Sequence, residues 1–101
     1  MAGLKMLLTY NIVPQKQETY LRFMLNEFIP TLQRLGLQNT GVWHTAYGNY
    51  PIRLVVFATE STRAMQNALE GDTWNKMELK LMDLVSDYAR RIVPNDSRFQ
   101  F

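Results

Sequence analysis

Residues Gly41 to Thr59 read GVWHTAYGNYPIRLVVFAT. Gly48-Asn49 is a turn signal, and the runs on either side are rich in branched and aromatic residues, the pattern of a β-hairpin. With a two-residue loop, Tyr47 faces Tyr50 and the pairing runs back from there. His44 then lies opposite Arg53, with Val42 opposite Val55 on the same face. Trp43 lies opposite Leu54, and Thr45 opposite Ile52, on the other face. A longer loop would change this register. The strands cover about residues 39–47 and 52–59, and both of their faces are apolar.

Upstream, residues 4–13 form a strand closed by Pro14. Its two sets, Met6, Leu8, Tyr10, Ile12 and Leu7, Thr9, Asn11, Val13, are wholly and half apolar or aromatic, as in a central strand buried on both sides. Over residues 17–35 the period changes. Leu21, Met24, Leu25, Phe28, Leu32 and Leu35 recur at spacings of three and four, the mark of an amphipathic helix that Gly36 stops. Pro30 cannot donate to the carbonyl of Asn26 and should kink or split that helix.

Downstream, Ser61 is placed to cap a helix over residues 62–69. Gly71 interrupts it, and Asp72 is placed to cap a longer helix with the stripe Trp74, Met77, Leu81, Leu84, Val85, Tyr88 and Ile92. Pro94 ends it. Residues 97–101 read as a last short strand, with Phe99 and Phe101 on one face. The order β-α-β-β-α-β predicts an α+β, ferredoxin-like sandwich. Its four-stranded antiparallel sheet has helices on one face, and right-handed crossovers put the first and third strands in the centre.

Composition sets the boundaries. The 101 residues suit one domain, residues 1–101, able to bury roughly 65% of its unfolded surface. A net charge of +2, from 11 basic and 9 acidic residues, is too weak and dispersed to point to nucleic acid or a membrane surface. With no cysteine and one histidine, disulfides, thiolate chemistry and a His-rich metal site are excluded. No metal, nucleotide or flavin motif and no Gly-rich phosphate loop is present, so no cofactor is expected. No stretch approaches the ~20 apolar residues of a membrane span, and the N-terminus lacks an extended signal pattern. A cytoplasmic location is the default expectation.

Two helices cover one face of a four-stranded sheet, and here the other face is apolar too. Soluble monomers rarely leave such a patch open. An RNA-binding sheet would need a basic-Gly-aromatic motif, which "IRLVVFAT" lacks. The remaining solution is a second copy packed face to face, an obligate two-fold homodimer.

The strand end Tyr10-Asn11-Ile12-Val13-Pro14, the helix Pro30-Thr31-Leu32-Gln33-Arg34-Leu35-Gly36, the hairpin Gly41-Val42-Trp43-His44-Thr45-Ala46-Tyr47-Gly48 and the helix start Asp72-Thr73-Trp74 follow one another in an order that resembles the dimeric α/β-barrel superfamily. Within it, they resemble the NIPSNAP-like and antibiotic-biosynthesis-monooxygenase-like branch. The resemblance spans about residues 4–77. It implies dimerisation into an α/β barrel and a largely apolar pocket in each protomer, between helices and sheet. Cofactor-free monooxygenases, haem-degrading enzymes, lactone isomerases and decarboxylases share the superfamily, so the fold does not choose a reaction. Haem-degrading relatives carry a histidine ligand near Met77 or Glu78. None stands there in this chain.

His44 is the acid-base candidate, because imidazole titrates near neutrality. Arg53 opposite would favour its neutral form; the alternative is a structural strand histidine. Trp43 and Trp74 are either a flat wall for an aromatic ligand or core and interface anchors. Tyr10 and Asn11 place hydrogen-bonding groups in an apolar strand, and these must meet either protein or ligand. Asp72 is first of all a helix cap. Tyr47 and Tyr50 flank the turn and stack on each other or on a partner. Met24, Met77 and Met82 suit either the helical core or an adaptable pocket lining. The candidate ligand-binding set is therefore Tyr10, Asn11, Trp43, Tyr47, Trp74 and Met77, with His44 as the candidate catalytic residue. Two functions are compatible with it. One is a homodimer that binds or converts an apolar, aromatic compound; the other is a structural or stress-related homodimer without chemistry.

Overall fold

The two-sided apolar run near the N-terminus becomes an inner strand of a four-stranded sheet. The computed structural model describes residues 3–47 and 50–94, with side chains described outside 44–52. The expected Gly48-Asn49 turn and the last strand expected over 97–101, with Phe99 and Phe101, lie outside the described residues.

Strand β1 (Leu4–Ile12) buries Met6, Leu7, Leu8 and Tyr10, so both of its faces are covered at the middle. A 3₁₀ turn (Pro14–Lys16) leads into α1 (Gln17–Phe23), a π-helical turn (Met24–Phe28) and α2 (Ile29–Arg34). The hairpin strands β2 (Gln38–Tyr47) and β3 (Tyr50–Thr59) follow, then α3 (Thr62–Glu70), α4 (Asp72–Met82) and β4 (Val85–Pro94). The sheet order is β2-β3-β1-β4 and every pairing is antiparallel. This is the ferredoxin-like α+β sandwich, with the first and third strands central. Met6, Leu8, Tyr10, Val55 and Phe57 on one sheet face join Tyr20, Phe28, Leu32, Met65, Trp74 and Leu81 from the helices in a single core.

The hairpin register is the one its turn demands: Val42 pairs with Val55, Trp43 with Leu54, His44 with Arg53, Thr45 with Ile52 and Tyr47 with Tyr50. Val55 belongs to the core, so Val42 and His44 occupy strand positions on the helix side. Trp43 occupies the open side, and its side chain is 43% exposed. One residue beyond Gly41 the ladder slips. Thr40 bulges out between the Asn39–Phe57 and Gly41–Val56 pairs. The Gly41 N–H donates to Asn39 Oδ1 at 3.0 Å and helps to close the bulge.

Four expectations need correction. The longest concerns the C-terminal stripe. The helix expected to run to Ile92 stops at Met82, and residues 85–94 are the fourth strand. Leu84 turns the chain, donating its N–H to the Leu81 carbonyl at 2.9 Å and accepting from Val13 N–H at 3.2 Å. The helical spacing of Val85, Tyr88 and Ile92 comes from a bulge. Asp87 and Tyr88 together oppose Tyr10, between the Asn11–Ser86 and Thr9–Ala89 pairs. The extra residue stretches a period of two into a step of three, which imitates a helix. Asp87 takes a φ of 54°, a left-handed conformation that Asp tolerates better than most side chains.

The second correction is the cap of α4. Asp72 is its first helical residue and makes no capping bond; the cap position is Gly71, in extended conformation. Asp72 still places a negative charge at the positive end of the helix dipole. Ser61 does cap α3, its Oγ accepting from Ala64 N–H at 3.1 Å.

The third is sharpened: the break expected at Pro30 is a π turn that separates α1 from α2. The helix widens one turn before the proline, the Ile29 N–H reaching back five residues to the Met24 carbonyl. The wider turn opens the helix where the proline ring would press on the Asn26 carbonyl, and α-helix resumes after it. The fourth correction follows from the same region. Leu21 and Leu25 are 49% and 67% exposed, while Tyr20, Phe23, Met24 and Phe28 are buried. Of the expected stripe, Met24, Phe28 and Leu32 do face inward, while Leu21 and Leu25 do not, and Tyr20 and Phe23 take their place.

Candidate functional site

On the helix side of the sheet, one end of the core is a chain of polar and aromatic groups. Tyr10, midway along β1, and Tyr20, on α1, are both 1% exposed, and their hydroxyls hydrogen-bond at 2.5 Å. Their rings meet edge to face, with centroids 5.8 Å apart. The β4 bulge sets Tyr88 against the other side of Tyr10, stacked at 6.4 Å. The Tyr88 hydroxyl donates to Glu78 Oε2 at 2.8 Å, and Glu78 also lies 3.5 Å from Arg90 Nη1. The Arg90 guanidinium sits over the Trp74 ring, 5.5 Å from its centroid, and Trp74 leans on Phe28. At the other end, the Arg53 guanidinium sits over the Tyr20 ring, also at 5.5 Å. Cation–π contacts of this kind hold a guanidinium in place without using its hydrogens.

Burial sets the electrostatics. It pushes the Tyr10 hydroxyl far above the ordinary phenol range, and the neighbouring Tyr20 adds to the rise. Burial also raises Tyr20, while the hydrogen bond with Tyr10 and the charge of Arg53 pull it down. Tyr88 rises through burial and through its bond to Glu78. All three phenols are protonated donors at neutral pH. Three buried side-chain atoms in this neighbourhood make no hydrogen bond: Arg53 Nε, Trp74 Nε1 and Asn11 Oδ1. The Asn11 amide nitrogen donates to Asp87 Oδ2 at 2.9 Å.

The residues singled out in the sequence are divided by this arrangement. Tyr10, Trp74 and Met77 lie in the helix-side core. His44 is paired with Arg53 in the ladder, on that same side of the sheet. Trp43 lies on the open face, its indole folded over Gly41, where an added methyl would overlap the ring. Asn11 lies at the end of β1 beside the β4 bulge, and Tyr47 pairs with Tyr50 at the far end of the hairpin. Tyr20, Arg53, Glu78, Tyr88 and Arg90 were not among the candidates. Tyr20 heads an aromatic series, Tyr20, Phe23, Met24, Phe28, with the same spacing as the leucines. Arg53 was visible only as a neighbour of His44. Tyr88 and Arg90 were hidden by the helical reading of β4.

Open grooves occur elsewhere. One of about 580 Å³ is lined by Gly3, Gln38, Thr59 and Ala64 among others, and one of about 430 Å³ lies between Thr19, Phe23, Lys80 and Leu84. Among the described residues no three His, Cys, Asp or Glu side chains gather as metal ligands would, and no helix is long and apolar enough to cross a membrane.

No protein-family sequence model matches the chain, and no curated protein matches it by sequence. Solved structures do match. A NIPSNAP family protein from Agrobacterium tumefaciens superposes with a TM-score of 0.70 at 17% identity, covering 94% of this chain and 87% of its own. A NIPSNAP domain protein from Burkholderia xenovorans gives 0.70 at 13% identity, over 97% and 99% of the two chains. The fold is that of the NIPSNAP proteins. An antibiotic biosynthesis monooxygenase-like protein from Nitrosomonas europaea shares it, at a TM-score of 0.65 and 10% identity, over 91% and 86%. In this NIPSNAP-like fold, β1 and the first helix carry the tyrosine pair, and the unusual parts of the chain, the π turn and the β4 bulge, lie on either side of it.

Proposed function

We propose that the chain is a cytoplasmic, homodimeric small-molecule-binding protein that takes a flat, apolar compound at the Tyr10–Tyr20–Arg53 end of the helix-side core. The observation that carries the binding is a surplus of donors. At that end Arg53 Nε is buried with nothing to donate to, and the tyrosine pair keeps one hydrogen undonated. Unmet buried donors each cost on the order of 1–3 kcal/mol, and a bound acceptor offsets that cost. The aromatic surroundings supply the apolar walls that small-molecule sites need. His44, placed across the ladder from Arg53, is the group that would move a proton if the ligand is also converted. The dimer forms through the open face of the sheet, where Leu54, Val56 and the exposed Trp43 lie outside the helix layer.

A thermal-shift screen of flat aromatic and polyketide-like compounds tests the binding, run on the wild type, Tyr20→Phe and His44→Ala. The expected result is a concentration-dependent rise in Tm for some compounds, reduced in Tyr20→Phe. Light scattering on the eluting protein at micromolar concentration should give twice the chain mass, and a monomer would end the dimer proposal. A second reading, a homodimer in which these aromatics only pack, is favoured by the near-complete burial of Tyr10 and Trp74. It stands if no compound moves the Tm.

A further inference from the structure

Several cations among the described residues are paired. Arg22 is paired with Glu18 at 2.6 Å, Lys80 with Glu27 at 2.9 Å, and Arg90 with Glu78 at 3.5 Å. Lys16 Nζ is 2.8 Å from the Asp83 carbonyl oxygen. Arg53 differs. It is half-buried, its Nε has no partner, and among the described residues no carboxylate lies within ion-pairing distance of it. Its position is nevertheless fixed by the Tyr20 ring beneath it and by its strand position opposite Tyr10. A half-desolvated charge held in place and left unpaired is costly unless something of opposite sign meets it.

The tyrosine pair adds to the imbalance. Two hydroxyls joined by one hydrogen bond use one hydrogen, so one O–H remains to be donated. The Tyr20 hydroxyl oxygen also accepts a side-chain hydrogen bond from Arg53, and burial raises both phenols so that they stay protonated. The Arg53–Tyr20 corner therefore keeps an unpartnered Arg53 Nε–H and one phenol hydrogen still to be donated.

We propose that Arg53 and Tyr20 form the seat of a carboxylate carried by the flat apolar ligand. The Nε edge of the guanidinium, the edge that can take two carboxylate oxygens side by side, carries the unpartnered N–H. This rests on the small-molecule reading above and narrows it: the substrate class is aromatic or polyketide-like acids, not neutral hydrocarbons or ketones. Arg53 is then the residue that sorts ligands by charge, and Tyr20 supports it with a hydrogen bond and with its ring.

The test is calorimetric titration of the full chain at neutral pH with three matched pairs: benzoate and benzamide, 2-naphthoate and naphthalene-2-carboxamide, and 2-anthroate and anthracene-2-carboxamide. Each pair keeps shape and exchanges the charge. The acid of the best-fitting pair should bind roughly ten- to a hundredfold more tightly than its amide, the range expected for a hydrogen bond to a charged group. Arg53→Leu and Arg53→Gln should both bring the two to parity, with Tyr20→Phe losing a smaller part of the preference. Circular dichroism identifies any variant that has lost its fold, and the glutamine variant keeps the test open if the leucine variant does. Equal binding of acid and amide to the wild type overturns the carboxylate seat and leaves the binding site standing. A preference that survives in both Arg53 variants overturns the role of Arg53. No binding of any compound overturns both.

Discussion

Removing the Tyr10 hydroxyl, as Tyr10→Phe, leaves the ring and its contacts with Tyr20 and Tyr88 but takes from Tyr20 its buried hydroxyl partner, leaving it Arg53 alone. Both residues are 1% exposed, so water cannot replace the lost partner. A neutral buried hydrogen bond contributes about 1 kcal/mol net, and an unmet buried group costs about 1–3 kcal/mol. Tyr10→Phe and Tyr20→Phe should each lower the unfolding free energy by an amount in that range. The double variant is the informative one. Once the first hydroxyl is gone there is no Tyr10–Tyr20 bond left to break. The double variant should therefore lose less than the sum of the two single losses, by a coupling energy of about 1 kcal/mol in a double-mutant cycle. Urea unfolding followed by circular dichroism measures all four proteins, at one fixed chain concentration because an associating protein gains stability by mass action. If the double loss equals the sum of the two single losses, the hydroxyls act independently, and the pair is not the unit described here.

Two further outcomes follow from the same packing. Gly41→Ala should displace the Trp43 indole, because the new methyl overlaps the far edge of the ring; the ring is 43% exposed and can swing aside, so little stability should be lost while the tryptophan emission maximum shifts, and an unchanged spectrum would refute the contact. Raising the pH should destabilise the fold. The Tyr10, Tyr20 and Tyr88 hydroxyls have folded pKa values above the ordinary value of 10.0. The unfolded chain then loses these protons first, so stability is intact below about pH 10 and falls above it, by up to ~1.4 kcal/mol per pH unit for each phenol. Absorbance titration should show these three of the five tyrosines ionising only as the protein unfolds.

The hairpin was the most legible part of the chain, because a turn fixes a register and a register fixes which residues share a face. Val42, Trp43, His44 and Thr45 have the partners that Gly48-Asn49 implies. The strand order was legible for a related reason: a strand apolar on both sides belongs in the middle. What misled was periodicity disturbed by a single residue. Val85, Tyr88 and Ile92 are strand residues whose spacing was altered by the Asp87 bulge, and Leu21 and Leu25 fit the helical spacing of Met24 and Phe28 as well as the buried Tyr20 and Phe23 do. The candidate site suffered accordingly. Tyr10 and Trp74 were visible as polar-tipped aromatics in apolar elements. Tyr20, Tyr88 and Arg90 were not, because their partners become neighbours only through those two irregularities.

The π turn at Met24–Phe28 and the bulges at Thr40 and Asp87 have one property in common. Each stores one residue of chain length inside an otherwise regular element, leaving the layers unmoved on either side. They are the places where a chain of this fold can gain or lose a residue without changing its architecture. Set against a chain of this fold with a regular helix and regular strands, this sequence would need its gaps within helix and strand as well as in loops, and a ruler that allows insertions only between elements would be out of step by one residue.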